Sequence, residues 1–167
     1  QWHTDFGHIS RSAKGPLLAQ SGRCYHYHSP SVEKVSTNMD IKLSGGCLCG
    51  FIRFIAINPV SAHSCSCDIC QKHSGCQTAV WLEFHSADVE WTGEGGTPSL
   101  YRSSETSSRA FCVRCGSSMG AIDDAPVTAL LSGVFDHNES LIFSPQSHSF
   151  QDMKPDWWRE IMPDTAS

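Results

Sequence analysis

The chain has 167 residues, of which 40% are hydrophobic, and its formal net charge is −5. This length is enough for one modest hydrophobic core. An acidic protein is a poor electrostatic match for a phosphate backbone, so we do not expect nucleic acid as a partner. The sequence has no apolar run long enough to cross a membrane and no visible secretory signal, so we expect a cytoplasmic protein.

Residues 1–38 differ in composition from the rest of the chain. They contain four of the nine histidines and a net charge of +2, which leaves −7 for residues 39–167. Met39 opens a stretch that resembles a natural protein start. We therefore predict an amino-terminal extension over 1–38 and one domain over 39–167. His26 and His28 could bind metal, but we expect them to be solvated.

The domain sequence favours short strands separated by turns. An apolar run over 51–57 ends at Asn58-Pro59, which is typical of a strand followed by a turn. Further strands are predicted over 78–84, 89–92, 99–102, 109–113 and 127–135. A short helix is predicted over 68–74, and no long 3.6-residue period appears. The sequence thus predicts a mainly β fold with little helix.

Seven of the nine cysteines lie in three groups with short spacings. These spacings allow neighbouring thiolates to reach one zinc ion from a tight turn. The groups are Cys47 and Cys49; Cys65, Cys67 and Cys70; and Cys112 and Cys115.

The number of thiols in each group predicts two kinds of zinc site. The first and last groups together supply four thiolates, as in a closed structural site. The middle group supplies only three, which leaves one position of a tetrahedral ion open to water or substrate, as in catalytic sites. We therefore predict two zinc ions in each chain.

Two other interpretations use the same cysteines. Disulfides are possible in an oxidising compartment, although the odd count and the strained C-x-C ring disfavour them. Alternatively both zinc sites are structural, and His63 or His73 completes the second. Cys24 and Cys76 fit no group, and we expect them to be ordinary thiols.

The cysteine motifs resemble those of the glutathione-dependent formaldehyde-activating enzyme family, which includes the centromere protein V branch. The order and spacing of all seven cysteines agree, and the resemblance extends from Leu43 to Trp158. The matching segments are 46–50 with 52–54, 65–72 with 74–75, Tyr101 with 103–104, and 109–117.

This resemblance implies a β-tent fold with two zinc ions. By analogy, the four-cysteine ion is structural, and the ion on Cys65, Cys67 and Cys70 takes part in glutathione chemistry. The implied activity is that of a carbon–sulfur lyase, which forms S-hydroxymethylglutathione from formaldehyde and glutathione. Because glutathione carries two carboxylates, Lys72 and Arg109 are candidate substrate-binding residues, with solvated surface charges as the alternative.

The sequence departs from the family pattern at two positions. Ser64 stands where the family often has histidine, and Gln71 where it often has arginine. Neither position supplies a predicted ligand, but both could alter the substrate pocket. Two other functions therefore stay open: a non-catalytic zinc interaction module like the centromere protein V branch, and a lyase that acts on a different thiol.

Overall fold

The structure is a computed structural model that describes residues 40–161. The predicted extension over 1–38 lies outside the described residues, so it stays a prediction. Within the described residues, no helix has both the length and the apolar character needed to cross a bilayer.

Ten short strands and two short α-helices make up the regular structure of residues 40–161. In chain order they are β1 (Lys42–Gly46), β2 (Arg53–Ile57), β3 (Ser61–Cys65), α1 (Asp68–Ser74), β4 (Ala79–His85), β5 (Val89–Trp91), β6 (Ser99–Arg102), β7 (Ser107–Phe111), β8 (Ser118–Asp123), β9 (Val127–Leu131), β10 (His148–Ser149) and α2 (Asp156–Ile161). The predicted mainly β class is therefore confirmed.

The strands form two sheets. One has three antiparallel strands in the order β1-β2-β5. The other has seven strands in the order β10-β3-β4-β9-β8-β7-β6, and β10 pairs with β3 in parallel. Antiparallel neighbours need only short connections, which suits a chain with many closely spaced turns.

The main core contains side chains of both sheets, and aromatic residues dominate its centre. Phe54 of β2 packs edge-to-face against Phe135, with ring centroids 5.1 Å apart. Phe135 also contacts Phe84 of β4 and Phe143. Phe54 and Phe84 are almost completely buried. Edge-to-face pairs of this kind stabilise the core beyond the effect of burying their area.

Helix α1 belongs to a second, smaller hydrophobic cluster. Its buried residue Cys70 clusters with Trp81 of β4 and Ala121 of β8. Cys65 belongs to the same cluster. Because strand side chains alternate between faces, Trp81 lies on the face of β4 opposite Leu82, which belongs to the main core.

Most predicted elements occur with shifted ends. The predicted strand over 127–135 ends at Leu131, because Ser132–Val134 form a 3-10 turn. The strand predicted over 109–113 lies at 107–111, because Cys112 begins a turn. Strand β3 was not predicted, since its sequence SAHSC contains none of the residues that favour strands.

Candidate metal centres

The four predicted structural ligands lie together. The sulfurs of Cys47, Cys49, Cys112 and Cys115 are all within 4.8 Å of one another. The distance from Sγ of Cys49 is 3.5 Å to that of Cys47 and 3.9 Å to that of Cys112. Tetrahedral zinc with Zn–S bonds of about 2.3 Å requires sulfurs about 3.8 Å apart. The group therefore has the size needed to hold such an ion.

Two turns bring these sulfurs together. In the turn after β1, Gly50 has a φ of 74°, which a residue with a side chain rarely adopts. Gly116 has a φ of 75° in the turn after β7. The backbone N–H of Leu48 donates to Oγ of Ser117 at 3.1 Å and so links the two turns. The N–H of Ile52 donates to Sγ of Cys47 at 3.2 Å.

Polar groups near Cys115 favour its ionised form. The hydroxyl of Ser117 lies 3.2 Å from Sγ of Cys115. This contact, together with the backbone N–H of Ser117, lowers the pKa of Cys115 to about 5. Metal ligation requires the thiolate, so this environment favours a bound cation.

The three thiols of the middle group also lie within 4.8 Å of one another. Cys65 ends β3, Cys67 caps the amino end of α1, and Cys70 lies inside that helix. The N–H of Cys70 donates to Sγ of Cys67 at 3.4 Å. The local fold therefore brings the three sulfurs together within six residues of sequence.

No histidine or carboxylate of residues 40–161 lies within 4.8 Å of all three of these sulfurs. Nδ1 of His63 lies 3.4 Å from a carboxylate oxygen of Glu83. His73 stacks on Trp81, with ring centroids 6.4 Å apart. The geometry thus gives no support to His63 or His73 as a fourth ligand.

The surroundings of the three thiols suit a metal ion. Burial raises the pKa of both Cys65 and Cys70, because a thiolate loses its hydration there. A bound cation would reverse this effect, and soft thiolates are the donors that zinc prefers. Arg109 supplies a nearby positive charge, since its Nη2 lies 3.9 Å from Sγ of Cys70.

A cavity of about 440 Å³ lies between α1 and strands β6 and β7. Both predicted substrate-binding residues, Lys72 and Arg109, line it. Its other lining residues include Asp68, Ile69, His73, Tyr101, Ser103 and Phe111. The cavity therefore combines cationic, hydroxyl and aromatic groups beside the helix that carries Cys70.

Lys72 and Arg109 differ in how firmly they are held. The Lys72 side chain is 83% exposed, and its Nζ lies 3.9 Å from a carboxylate oxygen of Asp68. The Arg109 guanidinium lies 5.4 Å from the centre of the Trp81 ring. Its Nε atom is buried without a hydrogen-bond partner. Arg109 is therefore fixed beside the thiols, whereas Lys72 projects into solvent.

His73 was considered only as a metal ligand, but the structure places it in the cavity wall. Its Nε2 atom is buried and has no hydrogen-bond partner. Burial, together with the positive charge of Arg109, lowers the pKa of His73. The imidazole is therefore neutral at pH 7, and Nε2 could form a hydrogen bond to a ligand in the cavity.

His148 lies beside the three-thiol group, and its ring nitrogens are 3.0 Å from the hydroxyls of Ser64 and Ser66. No motif of the sequence marks this residue, because it approaches Cys65 only through the pairing of β10 with β3.

Residues 42–153 match the family model described as glutathione-dependent formaldehyde-activating enzyme. The chain belongs to this family. A crystal structure of a protein from Rhodobacter sphaeroides is similar, with a TM-score of 0.51 and 16% identity. The alignment covers 64% of this chain and 99% of that one, and at this identity it supports the fold alone. A comparison with curated proteins gives no match.

Membership of the formaldehyde-activating family agrees with the resemblance seen in the cysteine motifs. The family match spans all seven clustered cysteines together with Lys72 and Arg109. The two thiol groups could each hold a metal ion.

Proposed function

We propose that this protein is a zinc-dependent carbon–sulfur lyase that joins formaldehyde, or another aldehyde, to glutathione. The observation that carries the proposal is the group of three thiols, Cys65, Cys67 and Cys70, to which the described residues add no fourth donor. Three protein ligands with one open position are typical of catalytic zinc. The second zinc ion, on Cys47, Cys49, Cys112 and Cys115, has a structural role in this proposal.

The reaction forms one carbon–sulfur bond. The glutathione sulfur attacks the aldehyde carbon, and the proton of the thiol ends on the former carbonyl oxygen. When bound, zinc would supply the means to lower the pKa of the thiol or to polarise the carbonyl at neutral pH. The residues of the chain bind and orient the substrates.

The cavity beside α1 is the proposed binding site for glutathione. Its two carboxylates require cationic partners, and Lys72 and Arg109 line the same cavity. Arg109 is held over Trp81 and beside Cys70, so it would bind the part of the substrate nearest the metal. Lys72 is largely exposed to solvent and would attract a carboxylate at the rim.

Arg109 also has an electrostatic role in this proposal. Three thiolates and one Zn²⁺ carry a total charge of −1, which weakens the attraction of the ion for a further anionic ligand. A guanidinium 3.9 Å from one of the sulfurs offsets that charge. The open position could then accept a fourth thiolate, that of glutathione, with less repulsion.

Exchange NMR of formaldehyde with glutathione tests the proposal. The zinc-loaded protein should speed the exchange above its spontaneous rate, and Cys67→Ala should abolish the increase. Cys76→Ser is the matched control, since Cys76 is exposed and lies outside both thiol groups. A zinc-loaded protein that gives only the spontaneous rate would overturn the substrate assignment. Repeating the experiment with other low-molecular-weight thiols separates the glutathione lyase from a lyase of different specificity.

A further inference from the structure

The carboxyl-terminal part of the domain packs against the segment that carries the three thiols. Strand β10 pairs in parallel with the end of β3, so that Ser149 is opposite Cys65. The N–H of Ser64 donates to the carbonyl of Ser147 at 2.9 Å. The N–H of Ser66 donates to the carbonyl of Ser149 at 3.0 Å. Backbone hydrogen bonds therefore hold both neighbours of Cys65.

The imidazole of His148 adds side-chain contacts to the same two neighbours. Nδ1 lies 3.0 Å from Oγ of Ser64, and Nε2 lies 3.0 Å from Oγ of Ser66. Ser66 stands between Cys65 and Cys67 and is completely buried. One ring thus bridges the hydroxyls on either side of Cys65.

The bridge continues into a network of partly buried polar groups around the fully buried Ser66. Oγ of Ser66 lies 2.9 Å from Oγ1 of Thr78, which accepts a hydrogen bond from the indole N–H of Trp158 at 3.2 Å. The side-chain amide of Gln71 donates to the carbonyls of Ser66 and Met153, at 2.6 Å and 3.2 Å. Satisfied networks around a buried polar group restrict the backbone to one arrangement.

We infer that His148 is a positioning residue for the three-thiol metal site: it holds the Cys65–Cys67 segment in the geometry that binds the second ion. This inference rests on the proposed metal at that site. A site with only three protein ligands has one fewer bond to determine its geometry, so its affinity depends more on sulfurs that are already in place. Removing a group that is hydrogen-bonded to a metal ligand typically costs about 10–100-fold in affinity. His148 contacts the residues beside Cys65 rather than a ligand, so we expect a loss at the lower end of this range.

Two further side chains support this role, because Ser64 and Gln71 both contact the carboxyl-terminal segment through the hydrogen bonds above. The carboxyl-terminal segment is therefore part of the site, although it lies about eighty residues away in sequence.

Zinc release to a chelator tests the inference, with His148→Ala as the variant. In the unaltered protein two zinc ions should be released in two phases. The phase that is missing in Cys67→Ala belongs to the three-thiol site. In His148→Ala we expect this phase to be about tenfold faster and the other phase unchanged. His148→Gln, whose amide can reach the hydroxyl of Ser66, should restore part of the difference. His137→Ala is the matched control, since His137 is exposed and its Nδ1 lies 3.8 Å from a carboxylate oxygen of Glu139.

Cobalt substitution gives a second readout that does not depend on activity. The visible absorption of Co²⁺ at the three-thiol site should shift in His148→Ala, while that at the four-thiol site should not. If His148→Ala does not fold, Ser64→Ala removes one of the two contacts and should give a smaller shift in the same direction. If these variants bind two zinc ions and show unchanged zinc release and unchanged cobalt spectra, the inference is overturned but the proposed function is not. An unaltered protein that binds only one ion would overturn both the inference and the proposed function.

Discussion

Nη2 of Arg109 lies 3.9 Å from Sγ of Cys70, at the point where strand β7 faces helix α1. The same guanidinium stacks over Trp81, so it is oriented by an aromatic ring as well as by a sulfur. Arg109 also lines the cavity beside α1. It therefore connects the three-thiol group with the space proposed for the substrate.

Replacing Arg109 should reduce catalysis while both zinc ions stay bound. Hydrogen bonds to charged groups contribute about 1.5–3 kcal/mol, so Arg109→Gln should lower kcat/KM for the glutathione adduct about 10–100-fold. Arg109→Lys keeps the charge but loses the planar stacking on Trp81. Its kcat/KM should therefore lie between those of the wild type and Arg109→Gln. Exchange NMR gives the rates, and elemental analysis gives the zinc content. Wild-type rates in zinc-loaded Arg109→Gln would show that the residue has no part in the reaction.

Replacing Lys72 should have a smaller effect than replacing Arg109, and it should change KM without changing kcat. Its side chain is 83% exposed, so a carboxylate bound there stays hydrated. Exposed ion pairs contribute about 0.2–1 kcal/mol, which corresponds to an increase in KM of at most about fivefold for Lys72→Ala. The effect should decrease at high salt. Lys42→Ala, at an exposed position of β1, is the matched control. An equal change in both variants would assign the effect to net charge.

The cysteine spacings predicted the thiol groups because those groups depend mainly on local turns. Cys65, Cys67 and Cys70 lie within six residues, so the turn and first helical residues alone bring them together. Cys47 and Cys112 are far apart in sequence, so the long-range fold brings them together. The spacing still predicted this group, because two pairs of thiols have few other ways to complete one tetrahedral site.

Other features depend on strand pairing, which the sequence does not encode locally. His148 approaches Ser64 only because β10 pairs with β3. Arg109 approaches Cys70 because β7 and β4 belong to one sheet, on which α1 packs. Strands such as β1, with sequence KLSGG, are specified by their partner β2 rather than by their own composition.

The ion pair between Arg53 and Asp136 should give a pH-dependent contribution to stability. Two hydrogen bonds, of 2.9 Å and 2.5 Å, join the guanidinium to the carboxylate, and Ser44 donates a third to Asp136 at 2.7 Å. Arg53, followed by Ser44, lowers the pKa of Asp136. Because the pKa is lower in the folded state, the stabilisation is complete above the unfolded pKa of about 3.9 and is lost as the pH falls through the folded value.

Asp136→Asn should therefore be less stable than the wild type at pH 7, by about 1 kcal/mol once solvent screening of this partly exposed pair is included. The difference should persist to about pH 5 and decrease below about pH 4. Urea unfolding at several pH values measures it, and loss of zinc at low pH affects both proteins alike. Asp124→Asn, which breaks the more exposed pair with Arg102, is the control and should change less. A difference that is the same at every pH would assign the effect of Asp136→Asn to packing.

The two thiol groups should differ in what their loss does to the fold. Cys112 is completely buried in the main core, and its group joins the turn after β1 to the turn after β7. Structural zinc sites contribute on the order of 10 kcal/mol to folding, so Cys112→Ala should lower the melting temperature sharply or prevent soluble expression. Cys67 is only half-buried and belongs to a group that lies within one local segment.

Cys67→Ala should therefore keep most of the thermal stability and lose one of two zinc ions. Thermal unfolding followed by circular dichroism measures the stability, and elemental analysis measures the metal. Cys76→Ser should match the wild type in both, because Cys76 is exposed and lies outside both groups. A Cys67→Ala protein that unfolds as readily as Cys112→Ala would contradict the division into a structural and a reactive site. In that case both ions would be needed to hold the sheets together, and an open metal position would have to be sought by direct binding of glutathione to the intact protein.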